Sequence, residues 1–244
     1  MKDSTAPSSL AAEAYEFVKQ RILVGKLPMG QVISRRKIAA ELGMSFLPVS
    51  EALLRLEFEG LLESRPRAGT RVRIPSREDV RGHYVVREAL EVQSAMLFAS
   101  CASPEDRANL IASALRVDAM SMSDDAAYLP AHEKLHRQIA EGARCPALSL
   151  AIEKTHALAS TWFCIARPAP DQAPPKRHQT LAEALVAGTP LEAAEAMRLH
   201  VTRGMENTLD RLKPYFRIRK AYGKTFFRSE KRQKQQLIHP SALN

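Results

Sequence analysis

Along the first eighty residues the apolar positions fall into three short helical runs. In "LAAEAYEFVKQRILVGKL" Ala11, Ala14, Tyr15, Val18, Ile22 and Leu23 recur at helical spacing, and Gly25 marks the stop. "ISRRKIAAELGMS" predicts a second helix, capped by Ser34 and ended by Gly43. A third opens after Ser45, with Pro48 in its first turn, where an absent N–H is not missed; Val49, Ala52, Leu53 and Leu56 then point into a core. After Gly60, "LLESRPRAGTRVRI" reads as two short strands about a turn at Ala68-Gly69. Helix, tight turn, helix and hairpin predict a winged helix-turn-helix over residues 8–75. In that geometry the second helix of the pair stands clear of the body and enters a major groove about 12 Å wide.

From Ser76 onward the texture changes to long helices. Six are predicted, over 78–100, 104–122, 126–142, 146–166, 172–187 and 190–212. Breaks fall at Ser103-Pro104, Ser123-Asp124-Asp125, Cys145-Pro146, "ARPAPDQAPP" and Gly188-Thr189-Pro190. The expected fold is therefore mainly α: a winged helix-turn-helix with a small β wing, an all-α six-helix bundle over 78–212, and a tail over 213–244. Stripes of Ala, Leu, Ile and Met argue by themselves only for packing. No apolar run approaches the ~18 residues of a membrane span, and "MKDSTAPSSL" has no signal core, so a cytoplasmic protein with no membrane partner is expected.

Charge sharpens this division. The formal net charge of +9 is concentrated at the two ends, and residues 214–244 hold eight Lys/Arg against one Asp/Glu. Basic ends suggest a polyanionic partner there and a different task between them. In the tail, Tyr215, Phe216, Tyr222, Phe226 and Phe227 interleave with the basic residues. Such a run can follow nucleic-acid phosphate, dock on the bundle, or stay unfolded. Cys101, Cys145 and Cys164 are widely spaced with no C-x-x-C, which argues against a disulfide framework or a cysteine-ligated zinc.

The histidines bring chemistry. His132 and His136 stand at i and i+4 in "AHEKLHRQIAEG", so both rings face one point, while His178 and His200 lie on the last two helices. Neutral imidazole is a ligand for zinc, nickel or copper, and bundle cores are where such sites are built. A solvated helix face is the alternative. The letters "HEKLH" also fit H-E-x-x-H, which keeps a metal-dependent hydrolase as the rival function. Against it, Glu133 points off the histidine face and no further zincin ligand pattern follows.

The stretches "ILVGKLPMGQVIS", "IAAELGMS", "PVSEALLRLEFEGLL" and "RPRAGTRV" resemble, in order, the DNA-binding domain of the GntR family of bacterial regulators. The resemblance implies contact with DNA through Arg36, Ser45, Phe46, Leu47, Ser50, Arg67 and Gly69, with Gly69 at the wing tip letting main chain approach a minor groove. Where the family usually has arginine, this chain has Phe46 and Ser50, and a customary threonine is Leu47. Guanine-reading forks are thereby replaced by groups suited to thymine methyls or to wedging between base steps. A degenerate regulator that no longer reads DNA specifically is a second alternative. "VVREALEVQSA", "LHRQIAEGARCP" and "HQTLAEALVAGTPLEAAEAMRLHV" resemble the helical effector (FCD) domain of the FadR branch. That implies a divalent metal on His136, His178 and His200, with His132 where the branch normally has Asp. An all-histidine set favours zinc or nickel over calcium or magnesium. Arg87 is implied to clamp the carboxylate of a small organic-acid effector, or else to pair with Glu91 at i,i+4. His156 can reach the same pocket, where an ordinary polar contact is expected. The implied protein is a homodimeric transcription regulator, a repressor, on a palindromic double-stranded operator.

Overall fold

The computed structural model describes residues 9–65, 69–120, 125–165 and 176–219. Arg67, at the turn of the wing, lies outside them, as do Tyr222, Phe226 and Phe227 of the tail. Ser9 accepts a hydrogen bond from the Ala12 N–H and opens α1, Leu10–Leu23. Ser34 does the same for Lys37 and opens α2, Arg35–Leu42. Gly43 ends α2 at φ 63°, a left-handed conformation that costs glycine little. α3, Phe46–Phe58, buries Val49, Ala52, Leu53 and Leu56 against α1. Its turn leads to strands β2, Leu62–Arg65, and β3, Gly69–Val72, paired antiparallel with Leu62 opposite Val72 and Arg65 opposite Gly69. A third strand was not expected: Val32–Ile33, β1, pairs antiparallel with β3, giving the order β1-β3-β2. Two residues are too short a run to show the alternation by which strands are recognised.

The helical half follows as α4, Arg77–Cys101; α5, Pro104–Asp118; α6, Asp125–Gly142; α7, Pro146–Ile165; α8, Arg177–Ala187; and α9, Pro190–Arg211. Capping boxes at Ser76, Ser103 and Thr189 fix the starts of α4, α5 and α9. α5 stops at Asp118 rather than near 122, and the Asp118 carboxylate accepts from the backbone N–H groups of His178 and Gln179 at the start of α8. α4 is the hub: it packs along α9 and also meets α6, α7 and α8. Its inward stripe is Val80, Tyr84, Arg87, Glu91, Ser94, Ala95 and Phe98, so a charged pair runs through an otherwise apolar seam.

The two halves are fastened at the linker. Asp79 closes the Ser76 capping box, pairs with Arg73 at 3.0 Å and accepts from Arg219 Nη1 at 3.0 Å. Burial alone would raise this carboxyl, but the bonds from Ser76 and the charges of Arg73 and Arg219 bring it below its usual value. Arg219 also donates to the Ile74 carbonyl at 2.7 Å, and Arg77 lies over the Phe216 ring. Residues 213–219 are therefore a short helical segment clasping the linker, although the resemblance to the family ends before them. None of the helices is long and apolar enough to cross a membrane among the described residues.

Gly142 ends α6 against α4, where a Cβ would stand 2.5 Å from Cδ2 and 2.6 Å from Cε2 of Phe98. Phe98 is fully buried and has no room to yield. Gly142→Ala is expected to destabilise the fold by about 1–3 kcal/mol, read as a lower urea midpoint; an unchanged midpoint would contradict this packing.

Candidate functional site

α6 presents His132 and His136 one turn apart, with their Nε2 atoms 3.3 Å from each other. His200 on α9 brings its Nε2 to 3.4 Å from that of His136. For a tetrahedral zinc with Zn–N of about 2.0–2.1 Å, the edge between two ligand nitrogens is about 3.3–3.4 Å. The ligand atoms of these three residues all lie within 4.8 Å of one another. His178 stands beside them, its ring 5.1 Å from that of His132 and 5.4 Å from that of His200. The four histidines singled out from sequence thus come together, three as a tight set and one adjoining it.

Two carboxylates orient the rings. His178 Nδ1 lies 2.6 Å from Asp118 Oδ1, so it carries the proton and Nε2 keeps its lone pair. That Nε2 is buried and has no hydrogen-bond partner. His136 Nδ1 is 2.8 Å from Glu91 Oε2, a close polar contact, and this again leaves its Nε2 facing the cluster. Burial, with the positive fields of the other histidines and Arg177 after it, holds His132 and His200 well below the usual histidine value. Burial lowers His136 to about 4 against the pull of Glu91, and lowers His178 against that of Asp118. The rings are neutral near pH 7, the form that binds a cation. The donor set and its spacing fit a borderline-soft dication.

Arg87 is buried and its Nε donates to Glu91 Oε1 at 2.7 Å, the intrahelical pair expected as the alternative to a clamp. Its Nη2 lies 3.4 Å from His156 Nε2, and His156 Nε2 is 3.1 Å from Glu91 Oε1. Glu91 is pushed up by burial, yet Arg87 first, then His156 and His136, hold it far below its usual value. A small cavity of about 60 Å³ opens beside the cluster, lined in part by Tyr84, Arg87, His132, Arg177, His200 and Asn207. A larger groove of about 1150 Å³ runs between α1, α6 and α7, from Lys19 and Leu23 to His136 and His156. Glu133 lines that groove and not the small cavity. Asp118, Tyr128 and Arg177 were missed from sequence, and Glu91 was named only as the i,i+4 partner of Arg87, not as the group that orients His136.

At the other end of the molecule, Ser45 opens α3 without a side-chain cap bond. Phe46 is 54% exposed and Leu47 68%, Arg36 and Gly69 are exposed, and Ser50 is half-buried on the same helix. Leu54 and Phe58 continue the outward apolar surface of α3, Phe58 at 94% exposure. Arg35, not singled out from sequence, reaches from the start of α2 towards Thr70 on the wing, 3.5 Å away. Gly69 has φ 75° and open space where a side chain would stand, so only backbone occupies that position of the wing.

Residues 10–72 match the bacterial regulatory proteins of the gntR family, and residues 83–203 match the FCD domain. Over 201 residues the chain is 31% identical to a protein of Paenarthrobacter nicotinovorans named "Probable D-xylose utilization operon transcriptional repressor", covering 80% of this chain and 86% of that one. The chain belongs to the GntR family. It is a transcription regulator with a GntR DNA-binding domain and an FCD domain, and the relatives it matches are regulators rather than enzymes. An HTH-type transcriptional regulator from Agrobacterium vitis is 29% identical over 142 residues, covering 56% of this chain and 82% of its own. The same fold is seen in a GntR transcriptional regulator of Rhodococcus sp. RHA1, at a TM-score of 0.69 and 20% identity, covering 83% and 99% of the two chains. It is seen again in E. coli McbR/YncC, at 0.64 and 21%, covering 86% and 100%.

The neutral state of the buried rings makes the stability of this GntR regulator depend on pH. His83, lowered to about 4 chiefly by burial, and His136, likewise about 4, bind fewer protons folded than unfolded between pH 4 and 6.5. Metal-free protein is expected to be fully stabilised by them above pH 6.5 and to lose that contribution as pH falls towards 4. Thermal melts across that window check the sign; a midpoint that rises on acidification would reverse it.

Proposed function

We propose that this GntR regulator is a homodimeric repressor whose grip on a palindromic operator is set by a small carboxylate effector at a metal in the FCD domain. The observation that carries the reading is the convergence of neutral Nε2 atoms from buried His136 and half-buried His132 and His200, with the partnerless Nε2 of His178 beside them. These residues would hold zinc or nickel, which supplies a positive centre for a carboxylate. Glu91 and Asp118 keep the rings of His136 and His178 turned inward. Arg87 keeps Glu91 ionised and lines the small cavity, from where a guanidinium N–H faces an incoming anion.

Control requires that the effector bind two arrangements of the molecule unequally. His136 on α6 faces both the histidine cluster and the groove whose far wall is α1 of the DNA-binding domain. A change in α6 on ligand binding is therefore felt at the joint between the halves. On DNA, Phe46 and Leu47 would meet thymine methyls or base steps, Ser45, Ser50 and Arg36 the adjoining backbone, and Gly69 and Arg67 a minor groove. One winged helix buries too little surface for useful specificity, which favours a two-fold pair on a two-fold site.

Two measurements test this. Asp118→Asn is expected to weaken zinc binding about 10–100-fold, by competition with a chromogenic chelator, with circular dichroism unchanged; unchanged affinity would remove His178 from the site. Selection from random duplexes followed by footprinting is expected to yield a palindrome, and Phe46→Arg to shift its sequence preference. Enrichment of no motif would favour the degenerate regulator instead.

A further inference from the structure

The small cavity holds a second guanidinium with no assigned role. Arg177 opens α8 one residue before His178 and lines the cavity together with Arg87, His132 and His200. Arg87 is occupied by Glu91. Arg177 donates only to the hydroxyl of Tyr128, whose ring stacks on His132, and pairs with no carboxylate among the described residues. Asp118, the other carboxylate near the cluster, is taken up by the ring and backbone N–H of His178 and the backbone N–H of Gln179.

We propose that Arg177 is a specificity-determining residue that seats a second carboxylate, so that the effector is a compact diacid. This rests on the carboxylate-effector reading above and narrows its ligand class. Charge supports it. Two guanidiniums, Arg87 and Arg177, are balanced overall by two carboxylates, Glu91 and Asp118, and imidazoles add none. The two charges of a bound dication are left for the ligand, and buried charge left uncompensated is costly. Arg177 is close enough for its charge to act on His132, His178 and His200. Size sets the upper limit: a cavity of about 60 Å³ is too little for a long chain.

The test is calorimetric titration of the zinc-loaded full-length protein with malonate and with propionate, which differ by one carboxylate. Zinc content is measured before and after, so that chelation is separated from binding. Wild type is expected to prefer malonate by about tenfold or more. In Arg177→Gln that ratio collapses towards one, while Arg177→Lys, which keeps a charge, retains part of it. Equal binding of the two acids by wild type, or an unchanged ratio in Arg177→Gln with zinc content intact, overturns the proposal and leaves the effector site standing. Binding of neither acid by the loaded wild type defeats the carboxylate reading and this inference with it.

Discussion

Taking a carboxylate out of water costs several kcal/mol unless cations and donors surround it, and Glu91 is 2% exposed on the helix that packs against α6, α7, α8 and α9. Arg87, His136 and His156 are what make that position tolerable. Once they are gathered there, the ring of His136 is fixed from one side, and its free nitrogen has only the space shared with His132 and His200 to face. The charged seam of α4 thus determines the direction of groups on α6, α7 and α9. Such a network is worth keeping only when every member is satisfied. The buried Nε2 of His178, left without a hydrogen-bond partner beside it, belongs to the proposed ligand set.

A second constraint joins this core to the reader. Asp79 binds the first turn of α4, the last strand of the wing through Arg73, and the chain beyond α9 through Arg219. α9 carries His200, and the segment that continues it holds the linker carbonyl of Ile74. The histidine cluster and the linker are therefore joined through α9 and the segment that continues it.

Most of the helices were legible because their signals are local. Serine or threonine caps, glycine stops and prolines at first turns lie within a few residues of the ends they set. The gathering of His132, His136, His178 and His200 was legible only through resemblance to a family, since i,i+4 spacing says nothing about α8 or α9. The orienting carboxylates were hidden for a like reason. Asp118 meets His178 across 60 residues of chain, and no periodicity encodes that contact. β1 was too short to show a pattern, and its pairing with β3 depends on where α1 and α2 leave the chain. Arg87 offered two roles, and the structure pairs it with Glu91 while it lines the small cavity.

The outward side of α3 bears Phe46, Leu47, Leu54 and Phe58 where a reading helix is commonly cationic. On the proposed operator this shifts the thermodynamics of recognition. Fewer counterions leave the duplex when apolar groups replace arginines, so the complex loosens less steeply as ionic strength rises. Apolar surface covered by bases brings instead a negative heat-capacity change. Temperature, more than salt, then becomes the variable to which the occupancy of such a site responds.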